Sequence, residues 1–186
     1  MTSPAGKEPI MSSRPAPDLR PPSGIYSETV HLRTQRLQQF VDITDLVAER
    51  VRRARVGAGI VNVQSRHTTA SILVNEFEPE LLSDLDDLGE RWAPRALGYR
   101  HDRRELPPGE RANGHSHARA ILLGSSATLN VQDGRLCLGR WQRVLLAELD
   151  GPRRRGISIV VLGVPEGDRV ASRPWPRIAK VDRKGA

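Results

Sequence analysis

The sequence predicts one domain that mixes short strands with a few short helices, and three observations carry that expectation. Apolar residues alternate with polar ones over several short segments, the pattern of half-buried strands. A helical period of 3.6 residues is confined to brief stretches. Turn residues such as Gln132-Asp133-Gly134 join neighbouring strand segments directly, as in a hairpin. A length of 186 residues suits a single domain with a sizeable core, and 38% apolar residues with only 4% aromatics make that core mostly Leu, Val, Ile and Ala.

Taken in order, residues 1–22 hold Pro4, Pro9, Pro15, Pro17, Pro21 and Pro22 among small and charged residues, the composition of a disordered arm. The domain is expected over residues 23–164. From Ser27 to Leu37, Val30, Leu32 and Thr34 alternate with Thr29, His31 and Arg33, which predicts a half-buried strand with His31 on its solvated side. Thr44 is placed as the N-cap of a short amphipathic helix carrying Val47, Val51 and Ala54, with Gly57 and Gly59 ending it. The strand Ile60-Val61-Asn62-Val63 runs into the stretch from Ser65 to Glu76. If that stretch is extended, His67, Thr69, Ser71 and Asn75 share one face and Ala70, Ile72 and Val74 the other.

Pro79 opens a second helix with an apolar stripe of Leu81, Leu85, Leu88 and Trp92 and a polar face of Glu80, Asp84 and Asp87. Residues 93–114, with three prolines and three glycines around Tyr99 and His101, read as a long irregular connection of the kind that is commonly functional. His115 to Gly124 predicts a short helix capped by Ser116 and stopped by Gly124. A hairpin of Thr128 to Val131 and Arg135 to Leu138 follows. Strands at Trp141 to Glu148 and Ile157 to Leu162, joined through Asp150-Gly151-Pro152, complete the domain. Residues 165–186 form a basic, Pro-containing tail.

Charge and composition narrow the function classes. Of the net +7, residues 1–22 carry +1 and residues 165–186 carry +3, so much of the excess lies in the tail, and nucleic acid is not the expected partner. No apolar leader is present, nor any apolar run approaching the roughly 18 residues of a membrane span. The single Cys137 can make neither an internal disulfide nor a zinc knuckle. A cytoplasmic protein without membrane contact is expected. The chain has no Walker loop, dinucleotide glycine fingerprint or nucleophile elbow, and no organic cofactor is expected.

The residues with chemistry are His67 at a strand entrance, His101 in the long connection and His117 at the start of a short element. Imidazole is both a metal ligand and a proton carrier near neutral pH, and three such rings with an open fourth position would suit zinc. The spacings of 34 and 16 residues carry no metal signature. Asn75-Glu76 could orient a substrate or a water, or could simply form a turn. In Gly139-Arg140-Trp141-Gln142 the indole could stack on a ring and the amide could hydrogen-bond it, or the segment could be a bulge before a core Trp.

Together, His67-Thr68-Thr69-Ala70-Ser71 with Asn75-Glu76, Tyr99-Arg100-His101, Ser116-His117-Ala118-Arg119-Ala120 with Leu123-Gly124, Gly139-Arg140-Trp141-Gln142 and Glu148-x-Asp150-Gly151-Pro152-Arg153 resemble the YjbQ-like family, whose members are often described as secondary thiamine-phosphate synthase proteins. The similarity covers roughly residues 24–164. It implies a compact α+β fold with a β-sandwich-like antiparallel body, a homotrimer, and a pocket gathering His67, His101 and His117. Asn75, Glu76 and Asp84 match the family's polar positions and Trp141 and Gln142 its Trp-Gln pair. His115 occupies a position usually filled otherwise, and Arg140 replaces a small residue, typically Thr.

The expected activity is therefore thiamine-phosphate synthase-like, a transferase joining a pyrimidine pyrophosphate to a thiazole phosphate with loss of pyrophosphate. Mg²⁺, Arg119, Arg140 or protonated His would help the leaving group, and Trp141 would stack on a ring. Two alternatives stand beside it. One is zinc-dependent, hydrolase-type chemistry with His67, His101 and His117 as ligands and Glu76 as base. The other is a non-catalytic trimer that binds a small phosphorylated metabolite.

Overall fold

The structure, a computed structural model, describes Met11–Ser12 and residues 24–168. The remainder of the Pro-rich arm and of the basic tail lies outside the described residues. Among the described residues, nine strands form two antiparallel sheets. The larger has the order β1-β2-β9-β4-β6-β7 and the smaller β3-β8-β5. In chain order they are β1 (Met11–Ser12), β2 (Ile25–Arg33), β3 (Gln39–Asp42), β4 (Val56–Ser65), β5 (Ala70–Asn75), β6 (Ser126–Gln132), β7 (Arg135–Leu136), β8 (Arg143–Glu148) and β9 (Arg154–Pro165). The helices are α1 (Thr44–Ala54), α2 (Pro79–Trp92) and α3 (Gly114–Leu123). This is the α+β class with a sandwich-like antiparallel body.

Alternation puts the inner faces of both sheets into one core. Val30 and Leu32 of β2, Val61 and Val63 of β4, Ile157, Ile159 and Val161 of β9, Ile72 of β5 and Val144 and Leu146 of β8 belong to it, joined by Val47, Val51 and Ala54 of α1. Each such fully buried aliphatic chain contributes about 1.5–3 kcal/mol. The outer face of the small sheet carries Leu73, Ala147 and Leu149, which pack against Ala120 and Leu123 of α3.

Several boundaries differ from the sequence reading, each for a local reason. The first strand ends at Arg33, and a second one at Gln39–Asp42 pairs with β8. Helix α1 begins at Thr44 rather than after it. The Thr44 hydroxyl donates to Asp42 Oδ1 at 2.5 Å and accepts from the Val144 amide at 2.9 Å, so it ties the helix to β8 instead of capping its own amides. The helix stops at Arg55, which takes the left-handed conformation at φ 50°, and Gly57 and Gly59 lie inside β4. Gly59 is required there because a Cβ would stand 2.1 Å from the Leu162 carbonyl oxygen of β9.

Helix α2 starts at Pro79 as expected, with the Glu78 carboxylate accepting from the Glu80 and Leu81 amides at 3.1 and 2.8 Å. None of its residues is fully buried, and Trp92 is half exposed. Ser116 does not cap α3. It sits in the first turn, donating to the Leu149 carbonyl at 2.6 Å, while Gly124 ends the helix as predicted. Asp133 and Gly134 both have positive φ, the conformation of a tight hairpin turn, but β7 extends only to Leu136. The strand expected from Trp141 begins at Arg143, leaving Trp141 in a turn that the Gln142 amide closes onto Gly139 at 3.0 Å.

Candidate functional site

Strands β4 and β5 are joined by a turn at residues 66–69, so His67 stands on a bend rather than in an extended strand. The alternation expected for the following segment holds from Ala70 onward, yet its polar face is not open. Ser71 is buried, and its hydroxyl reaches the Ala120 carbonyl of α3 at 3.3 Å. The chemistry therefore gathers at the entrance of β5 and not along it.

That entrance opens into a cleft of about 680 Å³ lined by His67, His117, Thr68, Thr69 and six arginines: Arg33, Arg66, Arg104, Arg153, Arg154 and Arg155. Strands β2 and β9 place Arg33 directly opposite Arg154 in register. The connection before α3 supplies Arg104 and Glu110, and the β8–β9 turn supplies Asp150 and Arg153. His101 does not line the cleft itself but packs edge-on against His117, with ring centroids 4.7 Å apart. His31 is also at hand. It faces Gly156 across the sheet, and a Cβ on that glycine would touch both the His31 ring and His67 Nε2. The solvated histidine expected on β2 is thus half-buried beside His67.

The protonation states follow from the surroundings. The Gly156 amide donates to His67 Nε2 at 2.7 Å, so the neutral ring carries its proton on Nδ1. Burial, and then the Arg155 charge, hold the His67 pKa below the ordinary histidine value. Burial and the adjoining His101 do the same for His117. Both rings are neutral at neutral pH, and cationic help for an anion falls to the arginines.

Below the cleft lies a buried ionic floor. Arg155 and Glu148, 2% and 1% exposed, form a two-pronged pair, with Arg155 Nε on Glu148 Oε2 at 2.6 Å. Thr34 donates to the same carboxylate at 2.8 Å and the Arg155 guanidinium also donates to the Thr69 hydroxyl at 3.1 Å. Asp150 accepts from Arg111, Asn113 and Arg153. Burial alone would raise its pKa, but the Asn113 and Arg111 hydrogen bonds and the Arg153 charge hold it below the usual carboxylate value. With Arg153, Arg155 and Arg104 engaged by acids, the guanidinium groups of Arg33, Arg66 and Arg154 remain without a partner among the described residues. Three free arginines at a cleft with neutral histidines have the chemistry to hydrogen-bond an anion with several oxygens.

The remaining residues singled out from the sequence lie elsewhere in the chain. Asn75 ends β5 opposite Arg143 and its Oδ1 accepts from the Glu76 amide at 2.9 Å. Arg140 lies 4.6 Å over the Trp141 ring, and Gln142 Oε1 accepts from the Gly139 amide at 2.8 Å. These are at the far end of β5 and β8 from His67, about 17 Å away at the usual strand rise. Asp84 is exposed on α2. Arg119 is buried, holding the Ala93 carbonyl at 3.1 Å and pairing with Glu90, next to an apolar cavity of about 30 Å³ between α2, α3 and the small sheet. Its Nη1 has no hydrogen-bond partner among the described residues. The sequence reading named Arg153 only as the end of a family motif and gave no role to Arg33, Arg66, Arg154 or Arg155, because an arginine among so many gives no signal until strand register brings distant ones together.

The zinc expectation can be set against this geometry. Among the described residues, no group of three or more His, Cys, Asp or Glu is arranged to hold a metal ion. His67 Nε2 is engaged by the Gly156 amide and Nδ1 carries the proton. The three histidines as placed do not fit a zinc site, and no step below runs through one. No helix among the described residues is long and apolar enough to cross a membrane.

Comparison with known proteins agrees with the motifs. The family model described as UPF0047 protein YjbQ-like matches residues 28–164. A UPF0047 protein of Methanothermobacter thermautotrophicus is 40% identical over 141 residues, covering 76% of this chain and 94% of the relative. The UPF0047 protein YugU of Bacillus subtilis is 29% identical over 137 residues, 73% of this chain and 98% of the relative. A crystal structure of a YbjQ-like protein of unknown function from Sulfolobus solfataricus superposes with a TM-score of 0.70 at 32% identity, over 75% of this chain and 97% of that one. Shared motifs, a matching model over most of the domain and the same fold lead to one assignment: the chain belongs to the YjbQ-like UPF0047 family.

Proposed function

We propose that the arginine-lined cleft binds a small phosphorylated metabolite and that the protein acts there as a thiamine-phosphate synthase-like transferase. The observation that carries this reading is the set of unpartnered guanidinium groups of Arg33, Arg66 and Arg154 around neutral His67 and His117. In this reaction the thiazole ring nitrogen attacks the methylene carbon of the pyrimidine diphosphate. A C–N bond forms, the C–O bond to pyrophosphate breaks, and the electron pair leaves on the pyrophosphate oxygen. No proton has to be removed from the attacking nitrogen.

The chief demand is charge stabilisation of the leaving group, which fixed arginines in a partly enclosed cleft supply. His67 Nδ1–H can donate to a phosphate or ring acceptor, while His117, steadied by His101, offers a second hydrogen-bonding edge. Magnesium would enter with the substrate phosphates, the usual manner of its binding. Arg119 is a positioning residue in this scheme: it fastens α3, the helix that bears His117, to the end of α2. A homotrimer in the cytoplasm is proposed with this function, on the family resemblance.

The test is release of pyrophosphate from a pyrimidine diphosphate in the presence of a thiazole phosphate. Turnover that requires both substrates and falls about 10²-fold in Arg154→Ala is expected. Binding of the diphosphate without product would leave the non-catalytic metabolite-binding role in its place. The three-histidine zinc enzyme is not carried forward, because His67 Nε2 is held by the Gly156 amide and Glu76 follows the far end of β5.

A further inference from the structure

Helix α3 buries a guanidinium that its own chain leaves partly unpaired. Arg119 is 2% exposed, and its Nε and Nη2 are turned to the Ala93 carbonyl, at 3.1 and 2.9 Å, and to Glu90. Nη1 is buried with no hydrogen-bond partner among the described residues. Such an unanswered donor is costly and uncommon in folded proteins. Arg119 lines the cavity between α2, α3 and the small sheet, and with its other two nitrogens committed, Nη1 is the donor it has left to offer there.

The facing wall carries the opposite charge. Gly89 of α2 lies against the guanidinium, since a Cβ on it would stand 3.6–3.8 Å from Arg119 Cδ, Nε and Cζ. Asp86, three residues earlier, shares that face of the helix and lines the same cavity. It makes no hydrogen bond or ion pair among the described residues. Burial holds its pKa above the ordinary carboxylate value, against the charges of Arg119, Arg36 and Arg95. A cation and an anion thus face one cavity without pairing with each other.

We propose that this cavity is a second ligand site, distinct from the arginine cleft, and that it takes a small neutral aromatic ring bearing a carboxamide. The two polar groups select the head group. An amide oxygen accepts from Arg119 Nη1, and an amide N–H donates to Asp86. A carboxylate would satisfy Arg119 but meet the like charge of Asp86, whereas an amidinium would satisfy Asp86 but meet that of Arg119. A neutral group with both functions answers both.

The enclosed volume of about 30 Å³ exceeds the roughly 10–15 Å³ that one water needs, and it suits a head group rather than a whole ring. The ring lies outward, against half-buried Phe40, Leu73 and Leu85 and against Trp92, which is 56% exposed. Apolar walls with a few converging polar groups are the usual make-up of a small-molecule pocket, and aromatic side chains favour a flat partner. No residue of α2 is fully buried, so the wall it supplies adjusts to a ligand without breaking the core. The cavity and the cleft share no lining residue, so this site stands whether or not the cleft binds phosphate.

Benzamide, benzoate and benzamidine, which differ in their head groups, test this by NMR titration of the isotope-labelled full chain, with affinities read from the amides of α2 and β5. The wild type is expected to bind benzamide most tightly, with shifts confined to α2, α3 and the small sheet and none at Gly156 in the cleft. Asp86→Asn keeps the shape of the side chain and removes its charge. In that variant benzoate is expected to gain about tenfold and overtake benzamide, while benzamidine weakens by a similar factor. Absence of shifts at millimolar benzamide, equal binding of the three compounds, benzamide shifts centred on His67 and Gly156, or an Asp86→Asn variant that ranks the compounds as the wild type does would each overturn the proposal.

Discussion

His67 shows how one residue couples the turn, the sheet and the chemistry. Its Nε2 accepts from the Gly156 amide, on a glycine where a Cβ would stand 3.3 Å from the His31 ring. Burial and Arg155 depress its pKa, as burial and His101 depress that of His117. Above the ordinary histidine value of about 6.5 both rings are neutral in the folded and the unfolded chain, and they impose no pH dependence. As pH falls through that value the unfolded chain takes up protons that the folded one refuses, so stability is lost on the acid side. Thermal melts between pH 7 and pH 5 are predicted to show a falling midpoint, with a shallower fall in His67→Gln. An unchanged slope in that variant would show that His67 titrates normally.

The buried pair beneath the cleft gives a second prediction at this scale. Glu148→Ala leaves the Arg155 guanidinium buried without its carboxylate, and removes the acceptor of the Thr34 hydroxyl. A loss of about 3–5 kcal/mol in denaturant unfolding is expected. A loss below about 1 kcal/mol would mean that the pair is open to water.

At the scale of elements, strands read more clearly than their ends. The alternation at Val30, Leu32 and Thr34 marks β2 because burial on one face imposes a period of two, and all three are buried. Pro79, the apolar stripe and the start of α2 coincide. The misplaced boundaries share a cause: Thr44 and Ser116 have the side chains of helix caps, but partners distant in sequence, Val144 and Leu149, engage their hydroxyls. Gly57 and Gly59 looked like a helix stop and lie instead inside β4, where Gly59 allows its close approach to β9.

Of the three α-helices, α2 alone has no fully buried residue. Its C-terminal end is fastened through Arg119 to the Ala93 carbonyl and Glu90. Arg119→Met keeps much of the apolar length but cuts those bonds. Hydrogen exchange of the α2 amides is predicted to rise about tenfold or more while the amides of β4 and β9 stay unchanged. Uniform acceleration across the domain would show that Arg119 supports the whole fold rather than this helix.

Considered as a whole molecule, the domain brings together segments more than 80 residues apart in sequence around one cleft. The histidines His67 and His117 were legible because their neighbours form recognisable strings. Arg33, Arg66 and Arg154 were not, since their meeting depends on β2 and β4 flanking β9 in one register, which no local pattern reveals. Conversely, Asn75, Trp141 and Gln142 were legible as motif residues, but only the direction of β5 and β8 shows that they lie apart from the histidines within the chain.

The central claim is that this cleft takes a phosphorylated ligand, and calorimetric titration with inorganic pyrophosphate tests it most directly. The wild type is predicted to bind pyrophosphate more tightly than orthophosphate, with affinity that weakens as salt is raised and that falls about tenfold or more in Arg33→Ala/Arg154→Ala. Absence of binding at millimolar pyrophosphate, or equal binding by the double variant, would contradict it.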